Sequence, residues 1–207
     1  MQYKLIEEIV YLSEANGWDF AKLEWEFTSA YYSEEEQRCL CGHYPIRNIC
    51  VIKNKKNFTI TEVGNCCINK FLGIEDGNKI FTSIKRIKEN ARSSISAEVL
   101  EYLYSKNAIS DSEYKFYKSI HRRTRMSTKQ WEFKEKINRK FLNFTSYERN
   151  SHFNKINLIL KWAEEKPSFN TDYVLSLKQA CNRNGKLTDN QLSALNNIIT
   201  KFKIKEY

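Results

Sequence analysis

Apolar residues recur at intervals of three and four along most of the chain, a spacing typical of amphipathic helices. Two short helices are predicted near the start, over residues 3–13 and 19–31, separated at Gly17. Further helices are predicted over residues 97–106, 151–165 and 172–182. We therefore expect a mostly helical protein.

Three helix starts in the C-terminal region share one local pattern. Each has an apolar residue, then Ser or Thr, then Glu or Gln three positions later, which is the signature of a capping box with a hydrophobic staple. The pairs are Ser110 with Glu113, Ser127 with Gln130, and Thr188 with Gln191. The pattern predicts helices that begin at these points and a C-terminal bundle built from helix-turn-helix hairpins.

A different pattern lies between the helical regions. Residues 46–52 and 58–63 are rich in β-branched side chains, and a polar stretch from Asn54 to Asn57 separates them, which predicts a β-hairpin. A short helix over 67–72 follows. The predicted fold is α+β, mostly α, with a small ββα-like module (37–77) between N-terminal helices (1–36) and a helical bundle (78–207).

Composition excludes several classes of protein. The chain has 207 residues, 41% of them hydrophobic, and a mean hydropathy of -0.64, so it can bury a sizeable core. No apolar run approaches the length of a membrane span, so no membrane association is predicted. Glu7 and Glu8 lie where a secretory signal peptide would have its apolar segment, which argues against such a signal. We expect a reduced, cytoplasmic protein.

Five of the six cysteines fall between Cys39 and Cys67, and this is the densest cluster of potential metal ligands in the sequence. Zinc binds four thiolate or imidazole ligands in a tetrahedron, and such a site is closed and structural rather than catalytic. The predicted cofactor is Zn²⁺, with a turn, a strand and a helix start supplying the ligands. The favoured ligands are Cys39, Cys41, Cys50 and Cys67, so the ββα-like module over residues 37–77 is predicted to be a zinc finger.

The residues alone leave other ligand sets open. His43 can replace Cys50 as the fourth ligand, and Cys66 is a surplus thiol beside Cys67. Gly42 allows the backbone to fold tightly around an ion. Buried free thiols without a metal are the alternative, because cysteine is among the most often buried residues.

The pattern Cys39-Leu-Cys-Gly-His43, Ile46 followed by Cys50, and Val63-Gly64 followed by Cys67 resembles a zinc-binding segment in uncharacterised proteins of bacteriophages and other mobile elements. Matched position by position, the resemblance implies Cys39, Cys41, Cys50 and Cys67 as ligands. It implies no activity. For a phage-encoded protein, the expected location is the cytoplasm of the host cell.

Charge is distributed unevenly along the chain, whose net charge is +9. Residues 1–38 contain three basic and nine acidic side chains, whereas residues 115–166 contain fourteen basic and five acidic ones. A basic cluster at a turn between helices suits nucleic-acid phosphates, DNA or RNA. The predicted contacts are Arg122, Arg123, Arg125, Lys129, Lys136, Arg139 and Lys140, with Lys53, Lys55 and Lys56 as a second group.

Aromatic side chains alternate with these cations on the predicted helix after Ser127. Trp131, Phe133, Phe141 and Phe144 either stack on bases, as in single-strand binders, or form the buried stripe of the helix. The sequence leaves both interpretations open.

The sequence predicts a non-enzymatic protein. His121 and His152 lack an evident nucleophile or carboxylate partner, and the chain has no phosphate-binding glycine loop or hydrolase motif. The predicted function is zinc-stabilised nucleic-acid binding. The alternative is a phage-encoded interaction protein that inhibits or redirects a host enzyme or defence complex, with a host protein or ribonucleoprotein complex as partner.

Overall fold

A computed structural model describes residues 3–72, 76–121 and 123–205. The chain divides into two compact units, Met1–Lys85 and Arg86–Tyr207. The elements described are mostly helices, accompanied by a three-stranded antiparallel sheet. The coarse prediction of a mainly helical α+β protein is therefore confirmed.

The first unit opens with two helices and a 3₁₀ turn, continues through the sheet, and ends with two helices. Its elements are α1 (Tyr3–Tyr11), α2 (Trp18–Ala21), the 3₁₀ turn Lys22–Glu24, β1 (Trp25–Gln37), β2 (Ile46–Asn54), β3 (Ile60–Gly64), α3 (Asn65–Leu72) and α4 (Asp76–Glu89). The division between the units falls within α4.

The sheet has the order β1-β2-β3, so β2 is its central strand. The hairpin predicted from the sequence is confirmed: β2 and β3 pair antiparallel, and Asn54 N donates to Thr59 O at 2.8 Å. Side chains on neighbouring positions of a strand point to opposite faces. Ile49 and Val51 accordingly pack together with Tyr31 on one face, and Cys50 between them points to the other.

The helix predicted over residues 19–31 is confirmed only as far as Glu24 and is wrong beyond it. Helical structure stops at Glu24, and Trp25 begins a strand of thirteen residues that pairs with β2. Phe20 and Leu23, whose spacing with Phe27 led to the prediction of this helix, are 73% and 64% exposed. Pairing with a distant strand outweighs a short-range helical spacing, because the paired residues of β1 gain ladder hydrogen bonds and cross-strand contacts with β2.

The second unit contains the helices predicted for the C-terminal bundle. They are α5 (Ala97–Ser105), α6 (Asp111–Ile120), α7 (Thr128–Phe144), α8 (Tyr147–Glu164), α9 (Asp172–Asn184) and α10 (Asp189–Lys201). All three predicted capping boxes are confirmed, at the starts of α6, α7 and α10. In each, the hydroxyl accepts a backbone N–H and the Glu or Gln side chain accepts one in return.

The core of this unit includes apolar side chains from α8, α9 and α10. Ile156, Ile159, Val174 and Leu195 are fully buried in it. Gly185 ends α9 in the left-handed conformation, with φ 78°, and packs against Asn143 so closely that an added Cβ would lie 2.3 Å from the Asn143 Cβ. Glycine is therefore required at this turn by both backbone conformation and space.

Within the described ranges, none of the helices combines the length and the apolar character needed to cross a membrane.

Candidate metal centre and basic face

A tight turn presents the first two cysteines. Gly42 N donates to Cys39 O at 2.7 Å, and Cys39 N donates to His43 O at 2.9 Å, so the backbone closes on itself around Cys41. Gly42 has φ 88°, a left-handed conformation that glycine adopts without strain. The turn places the Cys39 and Cys41 side chains in the protein interior.

The third cysteine comes from the first turn of α3. The sulfurs of Cys39, Cys41 and Cys67 all lie within 4.8 Å of one another, and those of Cys39 and Cys67 are 3.6 Å apart. Four thiolates around one zinc ion, at the usual Zn–S length, are about 3.8 Å from each other. The sulfur spacing therefore suits one thiolate-bound ion, and all three cysteines are free thiols rather than disulfides.

Hydrogen bonds favour the thiolate form of Cys39. The Cys67 thiol donates to its sulfur, as do the backbone N–H groups of Gly64, at 3.2 Å, and Cys41, and together they lower the pKa of Cys39 to about 5. The Cys67 thiol keeps its proton, because it donates to Cys39 and faces that negative charge, which raises its pKa. An arriving metal ion would displace this proton.

Two cations lie beside the turn. The Lys4 side chain from α1 packs against Gly42, with its Nζ 3.5 Å from where a Cβ of that residue would be. Arg38 Nη1 donates to Gly42 O at 3.2 Å, and its guanidinium stacks on the Tyr44 ring. Both cations therefore contact the turn that carries Cys39 and Cys41.

The other predicted ligands, Cys50, His43 and Cys66, are outside the group whose sulfurs all lie within 4.8 Å of one another. Cys50 is fully buried on the face of β2 opposite Ile49 and Val51, and its sulfur lies 3.1 Å from where a Cβ of Gly77 would be. Burial, followed by the charge of Cys39, raises the pKa of Cys50 to about 12. His43 and Cys66 are exposed. Three of the four favoured ligands therefore come together, and the identity of the fourth stays a prediction.

The basic residues at the α6–α7 turn and on α7 form a surface that we call the basic face. Its members are Arg123, Arg125, Lys129, Lys136 and Arg139, and all five are exposed. None of them forms an ion pair with any other described residue. Arg122, predicted as a member, lies outside the described residues.

Lys140 has a different environment from the rest of the predicted contacts. Its Nζ lies 2.6 Å from Glu113 Oε1, the nearly buried carboxylate of the α6 capping box. Burial alone would raise the pKa of Glu113, but the Lys140 ammonium and the Ser110 N–H outweigh it and hold that pKa below its ordinary value. Lys140 thus stabilises the fold and has little freedom to bind phosphate.

The hairpin lysines also differ from one another. Lys56 lies 3.3 Å from the carboxylate of buried Glu24, and Lys53 Nζ lies 4.8 Å from the centre of the Phe58 ring. Lys55 is exposed, and no ion pair links it to another described residue. Sequence reasoning overlooked Phe58, although its position next to a turn rich in Asn and Lys was visible.

The aromatic side chains of α7 belong mainly to the core. Phe141 and Phe144 are 0% and 2% exposed, and Phe133 packs edge-on against Phe116. Trp131 lies under the cations of Arg92 and Lys134. The buried-stripe interpretation therefore holds for Phe141 and Phe144.

The two histidines considered for catalysis are tied to the backbone. His121 Nε2 lies 2.9 Å from Ile95 O. His152 Nδ1 accepts the N–H of Leu187 at 3.2 Å, and burial lowers the pKa of this histidine. Both contacts join one helix to a distant loop, which is a structural role.

No protein-family model matches the chain, and no curated protein or solved structure matches it either.

Proposed function

We propose that this protein is a non-enzymatic nucleic-acid-binding protein that is stabilised by a zinc ion. The observation that carries the proposal is the basic face, where five exposed cations have no carboxylate partner among the described residues. The inward cations of the same helix are engaged, Lys140 by Glu113 and Lys134 by Arg92 O and Ser94 Oγ. The outward cations therefore remain available for phosphates.

The arrangement of the basic face suits a phosphate backbone. Lys129, Lys136 and Arg139 lie on the exposed side of one helix, and Lys129 and Arg139 are separated by about 15 Å along its axis. Arg123 and Arg125 extend the charge into the preceding turn, and Glu132 is the acidic residue exposed beside them. Such contacts supply affinity without reading sequence, so both DNA and RNA fit.

Zinc has a structural role in this proposal. Cys39, Cys41 and Cys67 would hold the ion and link the turn to α3, and Cys50 or His43 remains the proposed fourth ligand. Thiolate ligands and their spacing favour zinc over hard cations, which prefer oxygen. The resemblance to proteins of phages and mobile elements is compatible with a nucleic-acid partner and a host-cell cytoplasmic location.

The proposal is tested by charge reversal on the basic face. We expect Arg123→Glu, Arg125→Glu and Lys136→Glu together to abolish binding to labelled DNA and RNA oligonucleotides, as measured by fluorescence anisotropy. The matched control is Lys166→Glu, Lys203→Glu and Lys205→Glu, which makes the same change in net charge at other exposed sites of the same unit. Equal binding by both triple variants would refute the basic face as the binding site.

Exposed apolar side chains in the first unit favour a second candidate, an interaction protein that binds a host protein or ribonucleoprotein complex. Tyr3, Tyr11, Phe20 and Leu23 are 64% to 84% exposed. Large exposed apolar residues are frequent at protein interfaces. A protein partner that is retained at high salt, together with no affinity for naked oligonucleotides, would favour this candidate over nucleic-acid binding.

A further inference from the structure

The tip of the β2–β3 hairpin is held in one conformation by side chains of its own. Asn54 Oδ1 accepts the N–H groups of Lys56, at 2.8 Å, and Asn57, at 3.3 Å. Asn57 Oδ1 accepts the Thr59 N–H at 3.0 Å, while Asn57 Nδ2 donates to Leu12 O at 3.0 Å. These hydrogen bonds fix the backbone on both sides of the residue between Asn57 and Thr59.

That residue is Phe58, and both its backbone and its side chain are unusual. Its φ is 61°, in the left-handed region where Gly, Asn and Asp are the common residues. Its side chain is 62% exposed, so burial of the ring does not compensate for the strained backbone. An aromatic ring kept in a strained position and displayed to solvent indicates a functional role.

The surroundings of Phe58 define the chemistry of a partner. Lys53 Nζ lies over the Phe58 ring, 4.8 Å from its centre, and Lys55 is exposed on the same tip. Acidic groups are also near, since Glu24 pairs with Lys56 and Glu26 lies opposite Lys53 in the sheet. The excess of positive charge is small, so charge alone would not hold a nucleic acid here. A nucleic acid bound here would therefore also need a contact with the Phe58 ring.

We propose that Phe58, flanked by Lys53 and Lys55, is a stacking platform for an unpaired base, which makes single-stranded nucleic acid the substrate class. An unpaired base has a free face to lay on an aromatic ring, whereas a base within a duplex is already stacked on both faces. The lysines contact the phosphates on either side of the stacked base. This inference rests on the proposed nucleic-acid function and adds the strandedness of the substrate.

The first test removes the ring and keeps the apolar side chain. We expect Phe58→Leu to weaken binding to a single-stranded DNA or RNA oligonucleotide about tenfold, in line with the loss of one stacked base, and to leave duplex affinity unchanged. Phe58→Trp should retain the single-strand affinity. Phe20→Leu is the matched control, because Phe20 is similarly exposed, on α2 rather than on the hairpin, and its change should have no effect.

A second variant separates binding from folding. Asparagine adopts the left-handed conformation readily, so Phe58→Asn should raise the urea midpoint of unfolding while it weakens single-strand binding as much as Phe58→Leu does. A merely structural phenylalanine would give the opposite result, with lower stability and unchanged binding.

The outcomes distinguish the two proposals. If the wild-type protein binds no oligonucleotide, the proposed function fails and the stacking platform fails with it. If charge reversal on the basic face abolishes binding but Phe58→Leu binds single strands normally, only the stacking platform is refuted, and the ring is then assigned to a protein interface. If Phe58→Leu weakens duplex and single-strand binding equally, the assignment of single strands as the substrate class is overturned.

Discussion

At the scale of single residues, the three clustered cysteines have separable contributions to metal binding. We expect Cys39→Ser, Cys41→Ser and Cys67→Ser each to lower the zinc content of the purified protein, because each removes one of the three neighbouring sulfurs. Elemental analysis of freshly isolated protein without an affinity tag measures the metal-to-protein ratio. The wild-type protein should contain one zinc ion per chain.

Cys66 supplies a closely matched control for these variants. It is adjacent to Cys67 but exposed, so Cys66→Ser should retain the metal. Cys50→Ser then tests whether Cys50 is the fourth ligand, since it lowers the zinc content only when Cys50 binds the ion. A wild-type protein without a transition metal would contradict the metal centre as a whole.

Glu24 provides a second residue-scale prediction, which concerns pH. The Asn54 amide, followed by the N–H groups of Glu14 and Ala15 and by Lys56, lowers the pKa of buried Glu24 from 4.5 to about 2. A carboxylate whose pKa is depressed by folding contributes stability that is complete above pH 4.5 and is lost as pH falls toward 2. Glu24→Gln should therefore lower the urea midpoint most near neutral pH.

Urea unfolding over a pH series from about 7 down to about 3 measures this effect. The difference between wild type and Glu24→Gln should shrink as the pH falls. Glu26→Gln, a change at an exposed carboxylate on β1, should alter the midpoint little at any pH. A difference for Glu24→Gln that is constant with pH would show that the charge of Glu24 does not stabilise the fold.

At the scale of elements, the start of α7 is defined by its capping box. Ser127 Oγ accepts the Gln130 N–H at 3.3 Å, and Gln130 Oε1 accepts the Ser127 N–H at 2.9 Å. Ser127→Ala leaves an orphan N–H at the helix start and should lower the free energy of unfolding by about 1 kcal/mol. Thr128→Ala, at the next exposed position, is the control. Urea denaturation followed by circular dichroism checks both, and equal effects would contradict the cap.

Elements with local signals could be predicted from the sequence, and those that depend on distant pairing could not. The capping boxes at Ser110, Ser127 and Thr188 need only four consecutive residues, and all three are present. The first part of β1, residues 25–31, was predicted to be helical because the strand is stabilised by β2, which is distant in sequence. The three-to-four spacing of Phe20, Leu23 and Phe27 gives no indication of that partner strand.

The candidate metal site shows the same limit. Cys39, Cys41 and Cys67 could be predicted as neighbours, because a turn and a helix start each display cysteine in a recognisable way. Cys50 lies on the central strand, so its position relative to the three sulfurs depends on the packing of the whole sheet. Ile49 and Val51 pack on one face with Tyr31, so Cys50 points to the other, a fact that requires the register of the whole sheet. The exposed position of Phe58 could not be predicted either, because the only indication in the sequence was its turn-forming neighbours.

At the scale of the whole molecule, the two units should respond differently to removal of the metal. The clustered cysteines all belong to Met1–Lys85, and the described part of Arg86–Tyr207 contains a core of its own, built around α8, α9 and α10. Metal binding contributes folding free energy only to the part of the chain that holds the ligands. Chelation should therefore unfold or loosen the first unit and leave the second unit folded.

Hydrogen exchange followed by mass spectrometry measures this response for each peptide, with and without a zinc chelator. We expect β2, β3 and α3 to lose protection from exchange, because the turn at Cys39–Cys41 is then no longer held to α3, while peptides from α8 to α10 keep theirs. The Cys67→Ser variant should resemble the chelated protein without any chelator, and Cys66→Ser should resemble the wild type. Equal loss of protection in both units would contradict this prediction. It would mean that the metal supports the folding of the entire chain, because loss of a metal bound at residues 39–67 affects α8–α10 only if the two units unfold together.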